Sequence, residues 1–261
     1  IMGLYVPNPK YIKGVSKMKK IIALLLALTM MLALAACAPA ANNTPETTTE
    51  ATETKGDEVK VMTYAEYDAA ELESAVTVEC YVQAHQSWWE DKITVYAQDK
   101  DGAYFLYEMK CSEEDAAKLT EGTKIRVSGY KKEWSGEIEI MDATFEFVEG
   151  ADIFVAEPKD VTALLGTDDL IKDQNKKVSF KGMTFKALTY KEDEYDKDIY
   201  VTFEKDGAEY DFCVENYLTG PDTDVYKTVA ALKAGDVVDV EGFLYWYKGV
   251  NTHITGVEKA A

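Results

Sequence analysis

After residue 75, apolar and polar residues alternate with a period of two along most of the chain. Val76, Val78, Cys80 and Val82 are separated by Thr77, Glu79 and Tyr81, the pattern of a half-buried strand. Ile93-Thr94-Val95-Tyr96-Ala97 repeats it, and Asp101-Gly102 supplies a tight turn into a third strand over 104–109. Ser112-Glu113-Glu114-Asp115 then predicts a short helix, with a capping hydroxyl and acids at its positive end. Gly122 closes that helix. Strands follow over 124–130 and 136–147. A second run predicts strands at 177–186, 198–203 and 209–214, a helix over 224–233, and strands at 237–245 and 250–257. Weaker helical stretches precede each run, at 64–73 and 161–171.

The two runs are related. Lys100-Asp101-Gly102-Ala103 recurs as Lys205-Asp206-Gly207-Ala208. Leu119, Gly122, Ile125, Val127 and Gly129 recur in order as Leu232, Gly235, Val238, Val240 and Gly242, and Gly136 matches Gly249. The spacing grows by about eight residues between the two sets of anchors, and Thr219-Gly220-Pro221-Asp222 marks the inserted loop. A tandem duplication accounts for this order. Three strands, a helix and two strands in each copy resemble the OB-fold, a five-stranded Greek-key barrel. The fold class expected is therefore mainly β, with two tandem OB-fold-like five-stranded barrels, each with a short helix between strands three and four. Gly129 and Gly242 would let a barrel strand bend. Other small all-β barrels or sandwiches are the alternative.

The N-terminal region is of another kind. A basic head, Lys19-Lys20, precedes an apolar run from Ile21 to Ala36 broken by Thr29. That is the secretory signal pattern, and the run is shorter than the roughly 20 residues a spanning helix needs. Its end, Leu34-Ala35-Ala36-Cys37, resembles the lipobox of bacterial lipoproteins. The resemblance implies cleavage before Cys37, a lipid on its thiol, and residence on the outer face of the cell membrane. An ordinary signal peptide with a coincidental cysteine is the alternative. Met18 fits an initiator, so 1–17 is expected to be a non-native extension, with the signal over 18–36. Residues 37–60 comprise the lipidated Cys37 and a Thr/Glu-rich stretch with too few large apolar side chains to fold, expected to be a disordered tether. The expected OB-like domains are 61–150 and 151–261. Taken together, the chain resembles the tandem OB-fold lipoproteins of Gram-positive bacteria.

Charge narrows the partners. Residues 1–36 carry five lysines and no acids, so the remaining 23 basic residues face 47 acids, a formal charge of −24. Arg126 is the one arginine. Nucleic-acid affinity rests largely on Lys and Arg neutralising phosphates, so composition argues against nucleic acid as a partner. Apart from Cys37, the chain has Cys80, Cys111 and Cys213, an odd number whose spacing fits no zinc motif. Cys80 and Cys213 sit in strand patterns, where a buried thiol is the ordinary outcome. His85 and His253 exclude a multi-histidine site within one chain. The acidic loop over 191–198 has no calcium-ligand spacing and reads as solvated charge. No metal and no cofactor are expected.

No nucleophile elbow, phosphate loop or zinc-protease motif is present, so a non-enzymatic protein is expected. Candidate binding residues come from the expected loops after strands one and four. They are Trp88 and Trp89, Trp134, and Tyr245-Trp246-Tyr247. These rings could cap the barrels or pack the copies together, stack against sugar rings or an extended chain, or stack against bases of single-stranded nucleic acid. The function expected is a membrane-anchored binding module for a glycan, an exported protein or a small ligand. The alternative is a structural or assembly lipoprotein with no small-molecule site.

Overall fold

The computed structural model describes residues 60–260. The expected extension, signal, Cys37 and all of the tether but Lys60 lie outside the described residues. Those described fall within one compact unit, 57–261.

The first half is a closed barrel. Its strands are β1 (Ala75–His85), β2 (Lys92–Gln98), β3 (Ala103–Lys110), β4 (Lys124–Trp134) and β5 (Glu137–Phe147). They close in the order β1-β2-β3-β5-β4, with β4 returning to β1. This order, with one helix between the third and fourth strands, is the OB-fold arrangement. The alternation explains why it closes: Val76, Val78, Cys80 and Val82 are each at most 2% exposed and meet Val95, Leu106, Ile125, Val127 and Ile140 inside. Each such side chain contributes about 1.5–3 kcal/mol by leaving water. A capping box between Thr63 and Glu66 starts helix α1 (Tyr64–Ala69), which lays Tyr67 against the barrel. Helix α2 (Glu113–Ala116) is capped by Ser112, whose hydroxyl accepts from the Asp115 N–H. It ends well before Gly122, because Leu119 turns into the core and is fully buried.

The second half holds β6 (Lys159–Asp160), β7 (Lys177–Tyr190), β8 (Ile199–Lys205), β9 (Ala208–Val214), β10 (Val237–Phe243) and β11 (His253–Lys259). They form a six-stranded sheet in the order β10-β11-β9-β8-β7-β6, with β10 also paired to β7. Five strands were expected; the sixth is β6, which pairs parallel to β7 through Lys159 and Val178. Helix α3 (Asp224–Ala230), capped by Thr223, lies between β9 and β10. The helix expected over 161–171 is instead two 3-10 turns, Thr162–Leu164 and Leu170–Asp173, parted where Gly166 takes a φ of +75°.

The matched glycines fall at corresponding places. A Cβ on Gly129 would lie 2.7 Å from Ile140 Cγ2, and one on Gly242 would lie 2.2 Å from the His253 carbonyl oxygen. Each sits where the ladder to the following strand bulges, so a backbone that approaches this closely requires glycine.

An aromatic seam joins the halves. Tyr96 points away from the first barrel while its neighbours Val95 and Ala97 point in. It stacks on Phe243 with centroids 4.6 Å apart and 19° between planes. Phe105 meets Tyr245 edge-on at 5.2 Å. Hydrogen bonds flank the seam: Gln174 Nε2 donates to the Gly136 carbonyl at 2.9 Å, and the Lys177 N–H donates to Gln98 Oε1 at 2.9 Å.

Candidate functional site

Beside the seam the halves leave a cleft of about 1210 Å3. Strand alternation builds its walls. In β3 Leu106 faces the core, so Tyr107 faces out; in β5 Ile140 faces the core, so Glu139 faces out. Opposite them, Val201 and Phe203 fill the second core and leave Tyr200 in the cleft. The segment between β10 and β11 closes one side with Tyr245, Tyr247 and Lys248. Tyr107, Trp134, Tyr200 and Tyr247 are 37–52% exposed there.

Carboxyl groups line the same space. Glu139 is 5% exposed, and burial pushes its carboxyl up to about 7 against the pull of Lys132. Burial, then the charge of Asp198, pushes Glu215 up to about 7 as well. Glu215 accepts from the Leu218 N–H at 2.9 Å, and Asp198 accepts from Lys191 Nζ at 2.9 Å. Burial pushes the Cys213 thiol well above its usual range, which leaves it a poor nucleophile. Burial holds His253 down to about 3. Its ring is therefore neutral, and Nδ1 accepts from the Tyr96 hydroxyl at 2.5 Å. Cys80, Cys111 and Cys213 are buried free thiols.

Glu137, next to the cleft, is fully buried. Its Oε2 accepts from the Trp246 N–H at 2.8 Å and from Gln174 Nε2 at 3.2 Å, while Oε1 meets no partner. Burial raises this carboxyl to about 8, so it is protonated at neutral pH.

The candidate rings disperse. Trp134 is the last residue of β4 rather than a loop residue, and it stacks on Tyr247 with centroids 5.2 Å apart and 28° between planes. Tyr245 also lines the cleft and stacks on His253 at 4.2 Å. Trp246 turns away: it packs against the second core and over Gly136, where a Cβ would lie 2.8 Å from its Cδ1. Trp88 packs on the first core and donates from Nε1 to the Cys111 carbonyl at 2.8 Å. Trp89, 71% exposed, lies outside the cleft. Sequence reasoning missed Tyr107, Tyr200 and Glu139. The readable signal was an outward aromatic on a third strand and on a second strand, the strands whose face OB-folds use for ligands.

No protein-family model and no curated protein matches the chain. Solved structures do. The Ifi202 HINa domain in complex with 20-base-pair double-stranded DNA is 13% identical, with 72% of this chain and 100% of that one covered and a TM-score of 0.34. A murine DNA-binding protein bound with double-stranded DNA is 11% identical, with 72% and 100% covered and a TM-score of 0.34. A Replication Protein A heterotrimer bound to single-stranded DNA is 12% identical, with 74% and 51% covered and a TM-score of 0.30. At such values the neighbours' ligands are theirs alone.

These neighbours are bound to DNA, whereas composition had set nucleic acid aside in favour of a module for a glycan, an exported protein or a small ligand, or of a structural lipoprotein. Those expectations are not carried further. What composition could not show is the grouping of exposed rings at one cleft. The charge there keeps its sign, since Lys132, Lys191 and Lys248 face Glu133, Glu139, Asp198, Glu209, Asp211 and Glu215.

Proposed function

We propose that the cleft is a stacking site for the bases of single-stranded nucleic acid, and that the chain works by binding rather than catalysis. The observation that carries this reading is the grouping of Tyr107, Trp134, Tyr200 and Tyr247 as exposed rings in one groove. Each base stacked on such a ring contributes about 1–3 kcal/mol, whatever its sequence. Unpaired strands offer free base faces; duplexes do not.

Acids surround the lysines, so stacking supplies most of the affinity. Three lysines line the cleft. Single strands lose about 0.7 in log–log salt slope per phosphate neutralised, so the slope should be no steeper than about −2. Anisotropy titration of a labelled mixed-sequence 12-mer between 50 and 300 mM salt measures it. Trp134→Ala and Tyr247→Ala should each weaken binding by about 5- to 100-fold. Absence of saturable binding at 50 mM salt, or binding indifferent to both substitutions, would sink this function.

We also infer that the second sheet is a second OB-like barrel, giving tandem domains over 61–150 and 151–261. What supports this is the ring of pairings β7-β8-β9-β11-β10 with β10 returning to β7. The placing of α3 between its third and fourth strands and the matched Gly242 bulge support it too.

The lipid anchor belongs to the same proposal and rests on Leu34-Ala35-Ala36-Cys37 behind its basic head. Cys37→Ala should leave the chain unprocessed or move it from the detergent phase to the aqueous phase in a phase-partition assay. Unchanged processing and partitioning would remove the anchor.

A further inference from the structure

We propose that the cleft selects guanine, and that the Glu139 carboxylate is the group that reads it; this rests on the stacking function above. Glu139 stands in β5 in register with Lys132 of β4 and Phe105 of β3. Tyr107, two residues beyond Phe105, shares its face. Glu139 is 5% exposed and lines the cleft. Among the described residues no donor hydrogen-bonds to its carboxylate, although Lys132 lies within electrostatic range. Lys132 Nζ makes its ion pair elsewhere, with Glu73 at 3.4 Å.

Its neighbours are served differently. Asp198 receives Lys191 and the Asn216 N–H, Glu215 receives the Leu218 N–H, and Glu137 receives Gln174 and the Trp246 N–H. A carboxylate with little exposure and no protein donor gains from a ligand that brings donors to it. Two parallel N–H groups suit its two oxygens best, as in other bidentate, charge-assisted pairs.

Guanine is the base that presents two adjacent donors, N1–H and N2–H, on its Watson–Crick edge. Cytosine and adenine present an amino group beside an acceptor nitrogen. Thymine presents N3–H between two carbonyl oxygens that repel a carboxylate. In a single strand this edge is free while the base face stacks. Tyr107 and Glu139 line the same cleft, so a base stacked on that exposed ring holds its edge in the space the carboxylate faces.

The test uses the full chain in detergent and labelled dT 12-mers carrying one central dG, dA, dC or dT. The dG strand should bind on the order of 10- to 100-fold tighter than the all-dT strand, the range of a good bidentate contact. Replacing dG by deoxyinosine, which keeps N1–H and lacks the N2 amino group, should remove about tenfold of that. Glu139→Gln, which offers one acceptor beside a donor, should bring the dG-to-dT ratio close to one. Because the ratio is read within each variant, a general loss of affinity leaves it intact, and the deoxyinosine strand needs no variant at all. Free arginine, whose guanidinium carries the same pair of donors, should compete weakly. Equal affinity for the four strands, a deoxyinosine strand as tight as dG, or a ratio unchanged in Glu139→Gln overturns guanine selection and leaves stacking standing. Arginine that displaces dG at micromolar concentration overturns it in favour of a basic peptide. Binding of none of the strands overturns the stacking function itself.

Discussion

Glu137→Gln should stabilise the protein increasingly as pH rises, by about 1.4 kcal/mol per pH unit between roughly pH 5 and 8 relative to the unsubstituted chain. The native carboxyl titrates near 8, against an ordinary 4.5, because burial penalises its charged form. Between those values the folded chain holds a proton that the unfolded chain has released. Stability from this group is therefore complete below the unfolded value and lost as pH climbs through the folded one. Glutamine imitates the protonated acid: its carbonyl oxygen can still accept from the Trp246 N–H, and its amide replaces an O–H at Oε1 that has no partner. Glu139 and Glu215 are displaced in the same direction, but they are present in both proteins and cancel in the difference. Urea unfolding of the pair across pH 5–8 measures it. Parallel stability curves would show that Glu137 is not held neutral.

Glu137 also shows where the sequence stopped being readable. Glu137-Ile138-Glu139-Ile140 alternates as a strand with one wet face, and the strand expected over 136–147 is present as β5, with Ile140 fully buried. The wet face is where the pattern fails. Trp246 and Gln174 of the second half close over Glu137, and Glu139 sits at the wall of the cleft, so both glutamates are buried. Alternation along one strand reports the packing of its own barrel and carries nothing about what later lands on the outside.

The duplicated anchors were more informative, because their glycines answer a local constraint. Gly129 and Gly242 allow a backbone to pass where any Cβ would collide, and that need repeats wherever the bend repeats. The aromatic loops were the reverse case. Trp88 and Trp89 are adjacent in sequence, yet one packs on the first core and the other is 71% exposed. Ring chemistry is identical at both positions; only the turn decides which ring faces in. The cleft gathers Tyr107, Glu139 and Tyr200 from strands far apart in the chain, and nothing in their own segments marks them as neighbours.

Tyr96→Ala should cost about 3–5 kcal/mol and split one unfolding transition into two. The cost follows from a side chain that is 1% exposed, stacked on Phe243 and packed on Phe105 at 5.2 Å. The splitting follows from where those contacts lie. Tyr96 belongs to neither interior, since Val95 and Ala97 fill the first barrel and Phe243 meets it from the second half. Removing its ring empties the seam and leaves both cores filled. Tyr96→Phe separates the ring from the hydroxyl. It keeps the stack but leaves His253 Nδ1 buried without its donor, at about 1–3 kcal/mol. Protonation offers no escape, because burial holds that ring's pKa to about 3. Val127→Ala is the contrast: it opens a cavity wholly within the first barrel and should lower stability without touching the coupling. Denaturant titration followed by circular dichroism and by hydrogen exchange distinguishes the cases. A single transition in Tyr96→Ala, displaced by less than about 1 kcal/mol, would move the coupling from the rings to the flanking hydrogen bonds of Gln174 and Lys177.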